Sequence, residues 1–177
     1  MSYVKDIICW KSGASVTDGT PAICEPGDFP EVHYDLSRLA KEFDRDKLSH
    51  GPSSLWRYWP LLPVDDPDNA ATLGEGWTPI VQTPALGKAL GSPKLVIKDE
   101  GRNPSGTFKD RGACVAATRL RELGIKTIVH NSSGNAGGAW GMYAKRAGLN
   151  CVNLLPNDVL PASLCQSVYP GADTIIL

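Results

Sequence analysis

The stretch that decides the fold is KTIVHNSSGNAGGAWGMYAKRAGLNCVNLLP, residues 126–156. It begins and ends with short runs of aliphatic and β-branched residues, KTIVHN and NCVNLLP, which are typical of strands. Between them, NAGGAWGMYAKRAG (135–148) predicts a helix that stops at Gly148, since glycine commonly ends helices. The stretch therefore predicts a strand, a helix and a second strand joined by short connections.

The same alternation continues on both sides of this unit. Further strands are predicted at KLVIKD (94–99) and DTIIL (173–177), and helices at FKDRGACVAATRLRELG (108–124) and PASLCQSVYPG (161–171). Strands that alternate with helices across short loops indicate an α/β fold with a parallel sheet and right-handed crossovers. A parallel strand such as KLVIKD needs cover on both faces, but we expect its partners to be absent from this chain, which would leave apolar area exposed.

Composition excludes several classes of protein. The 177 residues fit one domain, or one domain and part of another, and a net charge of −1 gives no sign of a nucleic-acid partner. No apolar run approaches the roughly 20 residues of a membrane helix, and the start lacks the pattern of a signal peptide. The cysteines are scattered and odd in number, which favours free thiols in a reducing cytoplasm over a disulfide framework. They are Cys9, Cys24, Cys114, Cys151 and Cys165.

Residues 1–70 differ in texture from the rest of the chain. They are rich in proline and irregular, and their one modest helix signal is DLSRLAKEFDRDKL (35–48), which Asp35 or Ser37 could cap. The segment PLLPVDDPDNA (60–70) is predicted to be a loop, because prolines and aspartates leave little room for regular structure.

Two glycine-containing loops precede predicted helices. They are NPSGTFKD (103–110) and HNSSGNAGG (130–138). Ligands of parallel sheets lie beyond the carboxyl ends of the strands, where small residues let a backbone approach closely and helix N-termini favour anions. SSGN is thus a candidate cradle for a carboxylate or a phosphate. A plain tight turn with a Ser or Asn cap is the alternative.

Lys109 lies at the start of the helix that follows the first loop. A lysine amine that loses its proton, through desolvation or a nearby cation, can attack a carbonyl and form an imine, as lysines do with pyridoxal phosphate. The alternative is a solvated lysine of the first helical turn, beside Asp110 and Arg111.

Several segments together resemble the threonine synthases of the tryptophan-synthase-β-like, fold-type-II group of pyridoxal-phosphate enzymes. They are LGEGWTPI (73–80), KLVIKDEGRNPSGTFKDRG (94–112) and SSGNAGGAWGMYAKRAG (132–148), and LWRYWPLLPV (55–64) is similar to the stretch ahead of them. The match runs in order over roughly 31–177. It implies the three-layer parallel sheet of that group, here incomplete, with the first part of the large domain and most of the small domain.

The resemblance also implies roles for individual residues. Lys109 would form the imine with the cofactor and then shuttle protons, while Asn135 would stand beside the cofactor's 3-hydroxyl. The residues implied to contact the cofactor are Lys109, Asn135 and Phe108. Those implied to bind substrate are Ser105, Thr107, Glu75, Thr78, Ser132, Ser133, Gly134, Asn135 and Ala136. The implied reaction removes phosphate from O-phospho-L-homoserine and adds water to give L-threonine.

Three further features each admit two interpretations. Arg111 could keep the amine form of Lys109 available, or it could be a helix arginine paired with Glu100 or Asp110. Relatives often carry a zinc ribbon ahead of the catalytic part. Here Ser12 stands where a second cysteine would be, so we expect a metal-free remnant rather than a zinc site. The cluster of Trp56, Tyr58 and Trp59 could be a stacking surface, but we expect it to anchor the N-terminal segment onto the catalytic domain.

The resemblance implies three segments: an N-terminal extension (1–70), the start of the large domain with the lysine loop (71–113), and a truncated small βαβαβ domain (114–177). We expect the cofactor's phosphate loop to lie beyond residue 177, so that this chain alone is inactive. The complete enzyme would be a cytoplasmic homodimer that acts on a small amino acid. The alternatives are a cysteate synthase, a threonine dehydratase, or a non-catalytic fragment that serves as an interaction module.

Overall fold

The computed structural model describes residues 2–16, 24–132 and 134–177. Ser133, one of the predicted substrate ligands, lies outside the described residues. No helix among those described is long and apolar enough to span a membrane.

A three-stranded parallel sheet organises the C-terminal part of the chain. Its strands are β5 (Thr127–Asn131), β6 (Asn150–Leu155) and β7 (Asp173–Ile176), in the order β5-β6-β7. The helices α5 (Asn135–Ala147) and α6 (Pro161–Val168) connect them. This confirms the strand–helix–strand prediction and places the start of each connecting helix after the carboxyl end of a strand.

Helix α4 (Lys109–Glu122) precedes this sheet and packs against α5. Small residues dominate the contact, because Ala113 and Ala117 of α4 share one core with Ala139 and Ala144 of α5. Small side chains let two helices approach closely. Both helices end before a left-handed glycine, Gly124 and Gly148, each with φ of +74°, as the sequence predicts.

The predicted strand KLVIKD is present but pairs differently from the prediction. Residues Val96–Lys98 form β4, which pairs antiparallel with β3 (Ile80–Gln82), and α3 (Pro84–Ala89) lies between them in sequence. The expectation that KLVIKD is a parallel strand is therefore wrong for the described residues. All residues of both strands are exposed, and β3 is too short to give a periodic signal in the sequence.

The N-terminal segment contains more regular structure than its composition predicts. Strands β1 (Val4–Cys9) and β2 (Pro30–Tyr34) pair antiparallel. The segment predicted as one helix forms two, α1 (Leu36–Glu42) and α2 (Arg45–Ser49).

The break between α1 and α2 has a local cause. Phe43 is extended, and the side chain of Asp44 accepts a hydrogen bond from the backbone N–H of Asp46, so that a new helix begins. At the start of α1, Asp35 accepts from the backbone N–H of Arg38 at 2.9 Å, which confirms one of the two predicted caps. The predicted loop at 60–70 is not wholly irregular. Its first two residues belong to a 3₁₀ segment, Leu55–Leu61, and it contains a short 3₁₀ turn, Pro67–Asn69.

The expectation of free thiols is wrong for two of the five cysteines. Cys9 and Cys24 form a disulfide across 15 residues of sequence. The carboxylate of Asp28 accepts hydrogen bonds from the backbone N–H groups of Lys11 and Ser12, and the bond from Lys11 is the main cause that lowers its pKa. The two sulfurs lie 15 residues apart in sequence, and composition alone does not reveal this contact. That the segment binds no metal stays a prediction.

The aromatic anchor is confirmed for two of its three members. Trp56 is buried in the main core, and Trp59 packs against that core, whereas Tyr58 is 40% exposed. The backbone N–H of Tyr3 donates to the carbonyl of Pro60 at 2.8 Å, so the first strand is fastened to the same segment. The 3₁₀ segment therefore links the N-terminal hairpin to the helices.

The disulfide predicts a definite number of reactive thiols. Unfolding without reductant should expose three, those of Cys114, Cys151 and Cys165. In the native protein, only exposed Cys165 should react quickly, because Cys114 and Cys151 are buried and burial raises the pKa of both thiols. A thiol-reactive dye with peptide mapping measures both stages.

Prior reduction is the control, and it should raise the number of reactive thiols in the unfolded protein to five. Five reactive thiols without any reductant would contradict the pairing of Cys9 with Cys24.

Candidate functional site

The loop ahead of Lys109 is held by the first turn of the helix that follows it. Asp110 is fully buried, and its carboxylate accepts hydrogen bonds from both the backbone N–H (2.8 Å) and the hydroxyl of Ser105. Thr107 accepts from the backbone N–H of Lys109 at 3.1 Å, which satisfies one of the free donors at the helix start. Gly106 has φ of +81°, which permits the sharp turn between these contacts.

The side chain of Lys109 is exposed. Its Nζ lies 4.6 Å from the centre of the Phe108 ring, and Phe108 is itself 56% exposed. None of the ion pairs among the described residues involves Lys109. The amine is therefore accessible to a ligand. The described residues do not shield it from water.

The second loop leads into α5. Gly134 is the residue before the helix, and its N–H donates to the hydroxyl of Ser132 at 3.3 Å. Asn135 is the first residue of α5 and is exposed, and Ala136 follows it in the first turn. The free N–H groups of this 13-residue helix point out of its N-terminus, which favours an anion there.

Gly137 fits tightly behind this loop. A Cβ at Gly137 would lie 2.8 Å from the carbonyl oxygen of Ser132 and 3.0 Å from the hydroxyl of Ser167. The side-chain amide of buried Asn153 donates to the carbonyl of Gly137 at 3.2 Å. The second glycine-rich turn is thus supported from β6 and α6, and its glycine is required by close packing.

A cleft of about 360 Å³ brings the two loops together. Ser105, from the lysine loop, and Asn135, from the start of α5, both line it. Its remaining lining residues are Pro104, Gly138, Met142, Cys165, Gln166, Tyr169 and Pro170. Ser132 instead lines a neighbouring cavity of about 650 Å³ at the carboxyl ends of β5 and β6. Two of the predicted site residues therefore share one cleft, and a third lies at the adjacent sheet edge.

Glu75 and Thr78, the two predicted residues of the LGEG motif, lie elsewhere. Glu75 is fully buried, and its carboxylate accepts from the indole N–H of Trp56 (2.6 Å) and the hydroxyl of Tyr143 (2.9 Å). The hydroxyl of Thr78 lies 2.6 Å from a carboxylate oxygen of Glu100. Neither residue lines the cleft, so direct contact of either with substrate stays a prediction.

Arg111 takes the alternative role predicted for it, with Glu100 as its partner. Its guanidinium donates twice to Glu100, at 2.7 and 2.8 Å. The hydrogen bond from Arg111 is the main cause that lowers the pKa of Glu100 to about 2. The bonds from Thr78 to Glu100 (2.6 Å) and from Gly76 to Asn103 (2.9 Å) fasten the LGEG segment to the lysine loop and the turn ahead of it.

Sequence reasoning missed the buried polar residues beneath the loops. Tyr143 is fully buried on α5, and its hydroxyl lies 2.9 Å from Glu75 and 3.4 Å from Asp110. One available signal was its spacing, because Ala139, Tyr143 and Ala147 lie at i, i+4 and i+8 on the buried face of α5. The pattern marks the face as buried but does not reveal the partners of the hydroxyl.

Comparison with known proteins identifies relatives of most of the chain. A family model described as pyridoxal-phosphate dependent enzyme matches residues 71–177. Threonine synthase of Methanocaldococcus jannaschii is 38% identical over 153 residues, 86% of this chain and 38% of the relative. Threonine synthase of Methanosarcina acetivorans is 38% identical over 146 residues, 82% of this chain and 35% of the relative. The chain therefore spans little more than a third of the length of these relatives.

Solved structures show the same fold. A pyridoxal 5'-phosphate-dependent aspartate racemase is 29% identical with a TM-score of 0.51, covering 56% of this chain and 32% of the other. Maize serine racemase is 26% identical with a TM-score of 0.53, covering 56% of this chain and 30% of the other. The described part of the chain thus has part of the fold-type-II architecture, which confirms the fold class given by the motifs.

The Arg111–Glu100 pair predicts how stability depends on pH. Because the folded-state pKa of Glu100 is about 2 and its ordinary value is 4.5, the stabilisation is fully present above about pH 4.5. It should be lost as the pH falls toward 2. We expect a loss of about 1–2 kcal/mol, since the side chain is 28% exposed and partly screened.

Chemical denaturation of the wild type and Glu100→Gln between pH 6 and 2 measures this contribution. The difference in unfolding free energy should shrink across that window, while other carboxylates titrate equally in both proteins. A difference that stays constant from pH 6 to 2 would show that the pair contributes no pH-dependent stability.

Proposed function

The chain belongs to the pyridoxal-phosphate dependent enzyme family, and on that premise we propose that it carries the lysine and part of the substrate site of a threonine synthase-like lyase. The proposed reaction converts O-phospho-L-homoserine and water to L-threonine and phosphate. The observation that carries the proposal is the shared cleft, in which Ser105 of the lysine loop and Asn135 of α5 face the same space. The identity of 38% to threonine synthases supports the choice of reaction.

The residues around the loops suit this cofactor. Lys109 offers an exposed primary amine, and Asn135 offers an exposed amide. No described atom lies within 4 Å of the position that a Cβ would take at Gly106 or at Gly134, so open space borders both loops. A cleft of about 360 Å³ is within the usual range for small-molecule sites. The donor set of amine, amide and hydroxyl matches an aldehyde-bearing, oxygen-rich ligand.

In the proposed site, each residue acts through one atom. Bound pyridoxal phosphate supplies an electron sink that stabilises carbanions. Lys109 would hold the cofactor through Nζ, and the same amine would take a proton from substrate carbon and return it. The amide of Asn135 donates to the cofactor's ring oxygen without adding a charge. Phe108, beside the amine, provides an apolar face.

The turn before α5 is proposed to bind the substrate carboxylate. Ser132 supplies a hydroxyl there, and Gly134 supplies its backbone N–H once its 3.3 Å bond to that hydroxyl opens. The helix N-terminus favours the negative charge. We assign the same role to Ser133 and Ala136. Ser105 and Thr107 form the floor on the lysine side. Among the described residues, those that line the cleft include no arginine or lysine, so the group that neutralises the substrate phosphate is proposed to lie outside it.

The proposed enzyme is larger than this chain, since the matched region covers only 38% and 35% of the two threonine synthases. We therefore propose that turnover needs the full-length protein, which we infer to be a cytoplasmic homodimer, and that the 177 residues alone are inactive.

The experiment is covalent capture of the cofactor in the full-length protein. Pyridoxal phosphate and then borohydride should fix the cofactor on Lys109, and peptide mapping should find it there. Lys109→Ala should abolish capture and reduce turnover of O-phospho-L-homoserine by more than 1,000-fold, by analogy with other essential nucleophiles and proton carriers. Lys88→Ala is the matched control, because Lys88 is an exposed helix lysine outside the site.

The outcomes separate the candidate functions. Capture at Lys109 with turnover of phosphoserine but not phosphohomoserine would replace the proposed substrate with that of a cysteate synthase. Capture with dehydration of threonine would indicate a threonine dehydratase. Absence of any capture at Lys109 would overturn the enzymatic proposal and favour an interaction module.

A further inference from the structure

We propose that Tyr143 is a positioning residue for the lysine loop, acting through Asp110 on Ser105 and Lys109. The inference rests on the proposed function for its meaning, but its geometry is independent of any ligand. Tyr143 lies on α5, Asp110 on α4, and Glu75 in the LGEG segment, and all three are fully buried. The Tyr143 hydroxyl lies within hydrogen-bonding distance of both carboxylates.

The hydroxyl can serve only one of the two carboxylates as a donor at a time. It has a single hydrogen and lies 2.9 Å from Glu75 and 3.4 Å from Asp110. Burial, followed by the charges of Glu75 and Asp110, raises the pKa of Tyr143, so the hydroxyl keeps its proton. The shorter distance favours donation to Glu75.

The two carboxylates differ in their other donors. Glu75 also accepts from the indole of Trp56 (2.6 Å) and the backbone N–H of Leu73 (2.9 Å). Among the described residues, the donors to Asp110 besides Tyr143 both belong to Ser105. A buried carboxylate that loses its donors is strongly destabilised. Asp110 therefore holds Ser105 firmly, and the Tyr143 hydroxyl, which Glu75 holds at 2.9 Å, lies against Asp110 at 3.4 Å.

The contacts continue from Ser105 to the lysine. The hydroxyls of Ser105 and Thr107 are 3.4 Å apart, and Thr107 accepts from the backbone N–H of Lys109 at 3.1 Å. Ser105 also lines the cleft shared with Asn135. A shift of Asp110 would therefore move both a wall of the cleft and the backbone from which the lysine side chain extends. This continuity distinguishes a positioning role from ordinary core packing.

The test is a double-mutant cycle with Tyr143→Phe, Ser105→Ala and the double variant in the full-length protein. The first readout is amide hydrogen exchange of segment 104–109 without cofactor. Each single variant should raise exchange there about five- to tenfold, the effect of one lost hydrogen bond. The double variant should exceed neither single variant by more than about twofold, because both changes disrupt one linked set of contacts.

The second readout is the absorption of the bound cofactor as a function of pH in the loaded enzyme. Tyr143→Phe should shift the midpoint of the transition at the lysine-linked band, while Tyr58→Phe, at a 40% exposed tyrosine, should leave it unchanged. If Tyr143→Phe does not fold, Asp110→Asn replaces it, with the same expected rise in exchange at 104–109.

Additive effects of the two changes would overturn the proposal, as would a loss of global stability with no excess exchange at 104–109. The exchange measurement uses no cofactor or substrate. A protein that fails to turn over phosphohomoserine could therefore still show the coupling, and an active enzyme could still lack it.

Discussion

Two carboxylates buried without solvent, Glu75 and Asp110, set the strictest constraint on this structure. Removing an ionised group from water costs several kcal/mol unless fixed donors replace the water. The donors here come from separate parts of the chain: the indole of Trp56, the hydroxyl of Tyr143, and both donors of Ser105. The requirement to satisfy these groups therefore fixes the N-terminal segment, the lysine loop and α5 relative to one another.

This constraint divides the region around the two loops into a rigid buried layer and an exposed surface. Beneath the loops, carboxylates, hydroxyls and small residues are fully buried and hydrogen-bonded. Above them, Lys109 and Asn135 are exposed, and the cleft between the loops is lined mostly by apolar atoms and small residues. A site built in this way keeps its geometry before a ligand arrives, which lowers the entropic cost of orienting that ligand.

The sequence predicts local features of this structure better than distant contacts. The strands and helices from Lys94 onward, and the stops at Gly124 and Gly148, follow from periodicity and backbone preferences that act within a few residues. The antiparallel pairing of β4 and the Cys9–Cys24 disulfide depend on segments that meet only in three dimensions. The motifs name the candidate residues of the site, but a motif does not show which way a side chain points. Glu75 is fully buried and is not among the residues that line the cleft.

The exposure of Lys109 has a chemical consequence for how the proposed site would work. An amine in water holds its proton tightly at neutral pH and is a poor nucleophile. Since the described residues leave Lys109 exposed and it is not among the residues that line the cleft, the proposed cofactor and substrate would themselves have to displace water from its amine when they bind. The reactivity of the amine would then depend on binding. The buried, hydrogen-bonded residues beneath the lysine loop hold its backbone in place. The Lys109 nitrogen can therefore return to the same position in each catalytic cycle.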